Sequence, residues 1–411
     1  MAKFPADQSI ILYIENVHTR KTVRSSLGAK NIKVFTVTTT KEAIEKVEKD
    51  RRAALILDWS GISTIKVLSA SKGKKPLDSR PIILIVEAEH EGLLEVFADF
   101  QMNRLLLGPL NILIFDEAIN TLFDKTSPVN TLKMQFEPYL KKLSQKNYSD
   151  AKSILEIMRA KNPKNLTITQ ELANLCILME EWEEAEKLTD EVLRFNSKLA
   201  RAAHLKARCL MEKKDDKGAE VYLERATQLN PLDINRLIDF GNVLLNQGKH
   251  KPAKKAFTQA SDIDPYNKAA AKGGATASFL LGEHDEAIEL LQQLGSERER
   301  AAVFNNTGVL AVRQKSMKQA VHLYDIALNF IKDSEIKSKI YYNKSLAFVK
   351  KGDLPPALEA VKEAASLDPQ NKKVKDLLAK VREVTGPDED QGFDDSFVDE
   401  NLDLNDMDEE F

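Results

Sequence analysis

The run "AALILD", residues 53 to 58, carries five apolar residues into one aspartate, Asp58, and the chain breaks soon after at Gly61. A strand that ends on an aspartate presents its carboxylate at the rim of a sheet, where it can act as a nucleophile or hold a cation. Glu15 closes a second apolar run, "SIILYIEN" (9–16), and is the nearest equivalent carboxylate. The remaining reactive side chains are less promising. Cys176 and Cys209 are the only cysteines, form no CxxC, and fall about one repeat length apart, so they read as packing residues rather than as a redox pair or a zinc site. His204 and His250 have no partner at ligand spacing. No nucleophile stands beside a base in the centre of the chain, and the protein reads as a non-enzyme.

Positioning Asp58 requires a sheet. "SIILYIEN", "AALILD" and "PIILIVEAE" (81–89) have the length and continuous apolarity of buried parallel strands. "IKVFTVT" and "NRLLLGPLNI" read as two further strands, and the helical patterns "TRKTVRSSLGAK" and "TKEAIEKVEKD" lie between them, the second with Thr40 as its expected cap. Strand and helix alternate, which predicts a doubly wound parallel sheet. The polar connector "SASKGKKPLDSRP" (69–81) has lysines without interleaved aromatics and reads as a solvated loop, not a nucleic-acid site.

This order, over residues 8–125, resembles the receiver domain of bacterial response regulators. The resemblance implies that Asp58 is the phosphoacceptor and that Glu15 and Asp58 are the residues left to hold Mg2+. It also shows losses. The acidic pair becomes Glu15 and Asn16, the hydroxyl position becomes Val86 or Glu87, and the lysine before the last proline becomes Gly108 before Pro109. Without that cation and hydroxyl, an acyl phosphate lacks its usual route to a switch. A degenerate receiver, used for docking or dimerisation, is the expectation.

The centre of the chain is periodic. Alanine recurs at Ala151, Ala185, Ala219, Ala253 and Ala287 with a spacing of 34, then at Ala320 and Ala357 after steps of 33 and 37. Small residues precede all but the first by 12 positions, at Ala173, Ala207, Gly241, Ala275, Gly308 and Ser345. Pro163, Pro231 and Pro265 keep the same ruler, and Pro369 closes the last unit. Each unit reads as two helices around a short turn such as "QGKH", where Gly248 can take the left-handed conformation that ends the first helix. A single unit cannot bury its apolar stripe, so neighbours must stack.

The pattern resembles the tetratricopeptide repeat. The resemblance covers about residues 132–369, departs from the pattern at Tyr139 and at "GSERER" near Gly295, and extends to a cap helix at Asn371–Val384. It implies an all-α superhelix, or solenoid, of about seven repeats over 132–384, behind a linker at 126–131. It also implies a groove, lined by the first helices, that binds a protein or peptide partner. Mapped onto this sequence, the groove positions are Asn174, Arg201, Arg208, Asn242, Asn306, Lys339 and Asn343.

A last segment, 385–411, differs again in composition. From Pro387 to Phe411 it holds twelve Asp or Glu and no Lys or Arg, so with a net charge of −3 overall the rest of the chain carries about +9. An acidic disordered tail is expected, with Phe393, Phe397 and Phe411 spaced for contact in cis or in trans. No long apolar run of about 18 residues is present, so a cytoplasmic protein with no membrane and no nucleic-acid partner is expected. The expected function is a signalling scaffold without cofactor. The alternative is a response regulator phosphorylated on Asp58, requiring Mg2+, with the repeats as output.

Overall fold

A computed structural model describes residues 9–30, 32–50, 53–72, 81–86, 104–107, 109–122 and 128–384. Glu87, Gly108, most of the basic connector and the acidic segment 385–411 lie outside the described residues. Two compact units divide after Asp239.

The first unit opens with a five-stranded sheet: β1 (Ser9–Tyr13), β2 (Lys33–Val37), β3 (Ala54–Asp58), β4 (Ile82–Val86) and β5 (Arg104–Leu107), all parallel in the order β2-β1-β3-β4-β5. This is the flavodoxin-like doubly wound order. β1, β3 and β4 are buried at every residue, as their unbroken apolar runs require of strands covered on both faces. Helices α1 (Val17–Ala29) and α4 (Ile112–Thr121) cover one face, where Val23, Leu27, Phe115 and Ile119 meet Ile10, Leu12, Ile56 and Ile85. On the other side α2 (Thr40–Lys49) packs against α3 (Ile62–Lys72) and β1. Thr39, not Thr40, caps α2, because its hydroxyl is the one that accepts the Glu42 N–H.

Helical pairs follow. In the first unit they are α5 (Pro128–Ser144) with α6 (Tyr148–Lys161), α7 (Leu166–Leu178) with α8 (Trp182–Phe195), and α9 (Ala200–Glu212) with α10 (Asp216–Leu229). Helix α5 starts inside the stretch expected to be linker, since Pro128 is well tolerated in a first turn. Tyr139, the departure from the pattern, is fully buried and packs edge-on against Phe136 at 6.0 Å.

Helix α11 (Ile234–Asn246) spans the division. The second unit continues with α12 (His250–Ile263), then α13 (Lys268–Leu281) with α14 (His284–Gln292), α15 (Glu297–Arg313) with α16 (Met317–Phe330), α17 (Ser334–Lys351) with α18 (Leu354–Leu367), and the closing helix α19 (Lys372–Val384). The "GSERER" departure has a clear structural result. Helix α14 stops after 9 residues, and Ser296 opens α15 with a capping box to Glu299.

The repeat ruler has a volume rule within it. Two glycines on first helices face the residue 16 positions later on the second helix, Gly241 with Phe257 and Gly308 with Tyr324; at the same offset the sequence pairs Ala207 with Leu223 and Ala275 with Leu291, all four buried. Where the first helix offers glycine, the second offers an aromatic ring. A Cβ at Gly241 would lie 2.5 Å from the Phe257 ring, and one at Gly308 would lie 2.5 Å from Tyr324. The ring, rather than close approach of two bare helix axes, explains the glycine. Phe257 also fills the space beside Gly273 of the next repeat, where a Cβ would lie 2.1 Å away.

The turns keep the same ruler. Lys146, Glu180, Lys214, Gly248, Gly282, Lys315 and Gly352 all end first helices at φ between 56° and 82°. Gly248 takes the left-handed conformation its sequence predicts, but four of the seven turns place an ordinary side chain there.

Candidate functional site

Asp58 ends β3 at the C-terminal rim of the sheet, paired in register with Ile85 of β4. Its side chain is buried, and both carboxylate oxygens are in use. Oδ1 accepts the Glu15 N–H at 2.9 Å and Oδ2 accepts the Asn16 N–H at 2.9 Å. Burial raises the Asp58 pKa above the ordinary aspartate range; the two amides oppose this, and the Glu15 charge adds to it. The backbone of Asp58 is held as well, because the Thr64 hydroxyl donates to its carbonyl at 2.7 Å.

The neighbours are similarly committed. Tyr13 donates its hydroxyl to Glu15 Oε1 at 2.5 Å, and Asn16 Oδ1 caps α1 by accepting the His18 and Thr19 N–H groups. Val86, at the end of β4, is fully buried. Magnesium demands several oxygens in near-octahedral array. Here one carboxylate is bonded by two amides and the other by a phenol, so these two side chains by themselves offer few of the oxygens that ion needs. Among the described residues no group of three His, Cys, Asp or Glu is placed to hold a metal.

The groove positions fall in both units. In the first, Asn174 and Arg208 are half-buried on α7 and α9. Arg201 donates to Glu171 Oε1 at 2.6 Å, and Glu171 is only 1% exposed. Tyr139 reaches the other oxygen of Glu171 at 3.5 Å, so Arg201 neutralises a buried carboxylate within the repeats. In the second unit Asn242 and Asn306 are exposed, and Lys339 lies 3.7 Å from Glu335 on its own helix. Asn343, expected on the groove, is instead fully buried and donates to Asn305 Oδ1 at 2.7 Å. A buried amide must find a partner, and this one finds it on the adjacent first helix.

Two features escaped the sequence reading. His204 bonds Asp239 at 2.8 Å, and Arg236, 1% exposed, donates to the carbonyls of Ala226 and Asn230 at the end of α10. The first had a signal: Glu171 and Asp239 stand 68 residues apart, two repeat lengths, at the same register. Cys176 and Cys209 are fully buried, and burial pushes their thiols up to about 12 and about 11 respectively, as packing residues require.

First helices touch first helices. In the second unit α13 packs on α15 and α15 on α17, while no second helix makes a comparable contact with another second helix. The first-helix side is therefore the inner side of that stack. No helix of the described residues is long and apolar enough to cross a membrane.

Comparison with known proteins agrees with the periodicity. Residues 142–209 and 244–304 match one description of the tetratricopeptide repeat, and 200–231 and 338–371 match another. The human protein named tetratricopeptide repeat protein 6 is 27% identical over 158 residues, which is 38% of this chain and 30% of that relative. The chain thus spans less than a third of the curated relative it matches. Among solved structures, a tetratricopeptide repeat protein from Parabacteroides merdae is similar with TM-score 0.40 and 16% identity, over 60% of this chain and 97% of that one. YrrB, described as a TPR protein with an unusual peptide-binding site, gives TM-score 0.33 and 15% identity over 54% of this chain and 96% of its own. The centre of this chain is built from tetratricopeptide repeats.

Proposed function

We propose that this protein is a non-enzymatic scaffold. Its repeats bind a protein or peptide partner along the first-helix side, and the α/β domain supplies a second docking or self-association surface in cytoplasmic signalling. The observation that carries the reading is the ladder of adjoining first helices α13, α15 and α17, with Asn306 on α15 and Lys339 on α17; Asn242 is exposed on the preceding first helix, α11. Asparagine amides can pair with a guest backbone, and lysine with its carboxylates. Asn174 and Arg208 are the corresponding candidates in the first unit. Affinity capture with the full chain and with Asn242→Ala/Asn306→Ala tests this. The variant should lose partners that the parent holds, and an unchanged captured set refutes the assignment.

A second reading, phosphoryl transfer to Asp58, draws on its place at the rim of a flavodoxin-like sheet. The two amides on its oxygens weigh against it. Incubation with magnesium and a small phosphodonor, followed by intact-mass measurement, decides: an adduct lost in Asp58→Asn would favour phosphorylation.

A further inference from the structure

Charge is distributed unevenly between two sets of helices in the second unit. The helices α13, α15, α17 and α19, the inner set and its closing helix, hold fifteen Lys or Arg against five Asp or Glu. The outer set α12, α14, α16 and α18 holds five against seven. On α15, Ala302, Asn306 and Arg313 recur at steps of 4 and 7 and so share one face, and Lys339, Asn343 and Lys350 repeat those steps on α17. Because α15 packs on α17, the two stripes lie side by side. Asn343 is buried within its stripe; Arg313 is exposed, and Lys339 and Lys350 are half-buried.

We propose that the acidic segment 387–411 of this same chain docks on that basic inner face and competes there with the partner. The inference rests on the scaffold reading above, and it names what occupies the face when no partner does. Charge complementarity is the first argument: the segment carries twelve carboxylates and no cation, and the four helices together carry a net charge of +10. Reach is the second. The segment begins three residues after α19 ends at Val384. Fully extended, its 25 residues can span up to about 85 Å, and packed helices sit about 10 Å apart, so crossing α17, α15 and α13 needs less than half of that reach. Tethering supplies an effective concentration of about 1 mM, so even an intrinsic dissociation constant near 50 μM would suppress a competing peptide about twentyfold.

The test uses a fluorescein-labelled peptide of residues 387–411, read by anisotropy at low salt against the full chain and a chain ending at Gly386. The peptide should bind the shortened chain, bind the full chain at least tenfold more weakly, and lose affinity as salt rises. In the shortened chain, Lys339→Glu/Lys350→Glu should weaken binding at least tenfold. Lys251→Glu/Lys255→Glu, on the exposed side of α12, should leave it within twofold. Circular dichroism confirms that both variants keep their helices. No saturable binding to the shortened chain, equal binding to both chains, or equal loss in both double variants overturns the proposal. So does a full chain that forms concentration-dependent oligomers dissolved by the peptide, which would mean docking on a second copy. Partner capture is scored separately: a shortened chain that ignores the peptide yet captures partners normally refutes this inference and leaves the scaffold reading standing.

Discussion

Replacing the four non-glycine turn residues, Lys146, Glu180, Lys214 and Lys315, with glycine should stabilise the repeats. Each sits at φ between 56° and 61° with its side chain exposed, and each ends a first helix on the same ruler as Gly248, Gly282 and Gly352. A side chain in that conformation costs about 1–2 kcal/mol. Glycine removes the cost but returns about 0.4–1 kcal/mol through its greater freedom in the unfolded chain. The net gain is about 0.5–1 kcal/mol per site. The four sites lie in different repeats, so the gains should add to about 2–4 kcal/mol. Charge ranks them. The three lysines favour a helix C-terminus by about 0.3 kcal/mol and Glu180 disfavours it, so Glu180→Gly should gain most. Lys214→Ala keeps the left-handed strain and should gain little. Urea unfolding followed by circular dichroism reads the effect, with the midpoint of the four-site variant rising by about 1 M for a slope of about 2–3 kcal/mol per molar. An unchanged or lower midpoint would show that the turns are relaxed and that the reasoning is wrong.

Three further expectations follow from other contacts. Gly308→Ala forces a Cβ against the Tyr324 ring and should cost about 1–3 kcal/mol. Adding Tyr324→Leu recreates the Ala207 and Leu223 combination and should recover most of it in a urea double-mutant cycle. Arg201→Met strands the buried Glu171 carboxylate and should cost about 3 kcal/mol, whereas Arg201→Met/Glu171→Gln should be markedly more stable than the single variant. The Asp58 carboxyl, raised by burial, should titrate in a carbon NMR experiment above its unfolded value of about 3.9. The sign follows from linkage: stability is greatest below the unfolded value and falls as pH climbs through the raised one. The difference between Asp58→Asn and the parent should therefore move in the variant's favour as pH rises, and a pH-independent difference would contradict the burial argument.

The parts of the fold legible in the sequence were those written in periods. Thirty-four-residue spacing located the helical pairs, and unbroken apolar runs located β1, β3 and β4. Gly248 announced its turn because glycine is the ordinary residue at positive φ; Lys146, Glu180, Lys214 and Lys315 did not, because lysine and glutamate carry no turn signal and tertiary packing imposes the conformation on them. Side-chain commitments were harder to read. Asparagine on a helix looks the same whether it faces solvent, as Asn242 does, or a buried amide, as Asn343 does. The difference lies in where the next first helix passes. Asp58 was legible as a strand-end carboxylate, but no pattern in the sequence told that two backbone amides would meet it.

The Phe257 ring has a bearing on how such a chain can be lengthened or shortened. It belongs to α12, yet it occupies the hollow left by Gly241 on one side and by Gly273 of the following pair on the other. A cut made at the sequence period between these pairs would separate a plug from one of its two sockets. Grafting the pair that begins at Ile234 beside a neighbour with alanine in place of Gly273 would leave the ring no room. The interchangeable module at this point is therefore two pairs, from Ile234 to Gln292, rather than one, and gain or loss of length here should proceed in steps of about 68 residues, twice the spacing of the ruler.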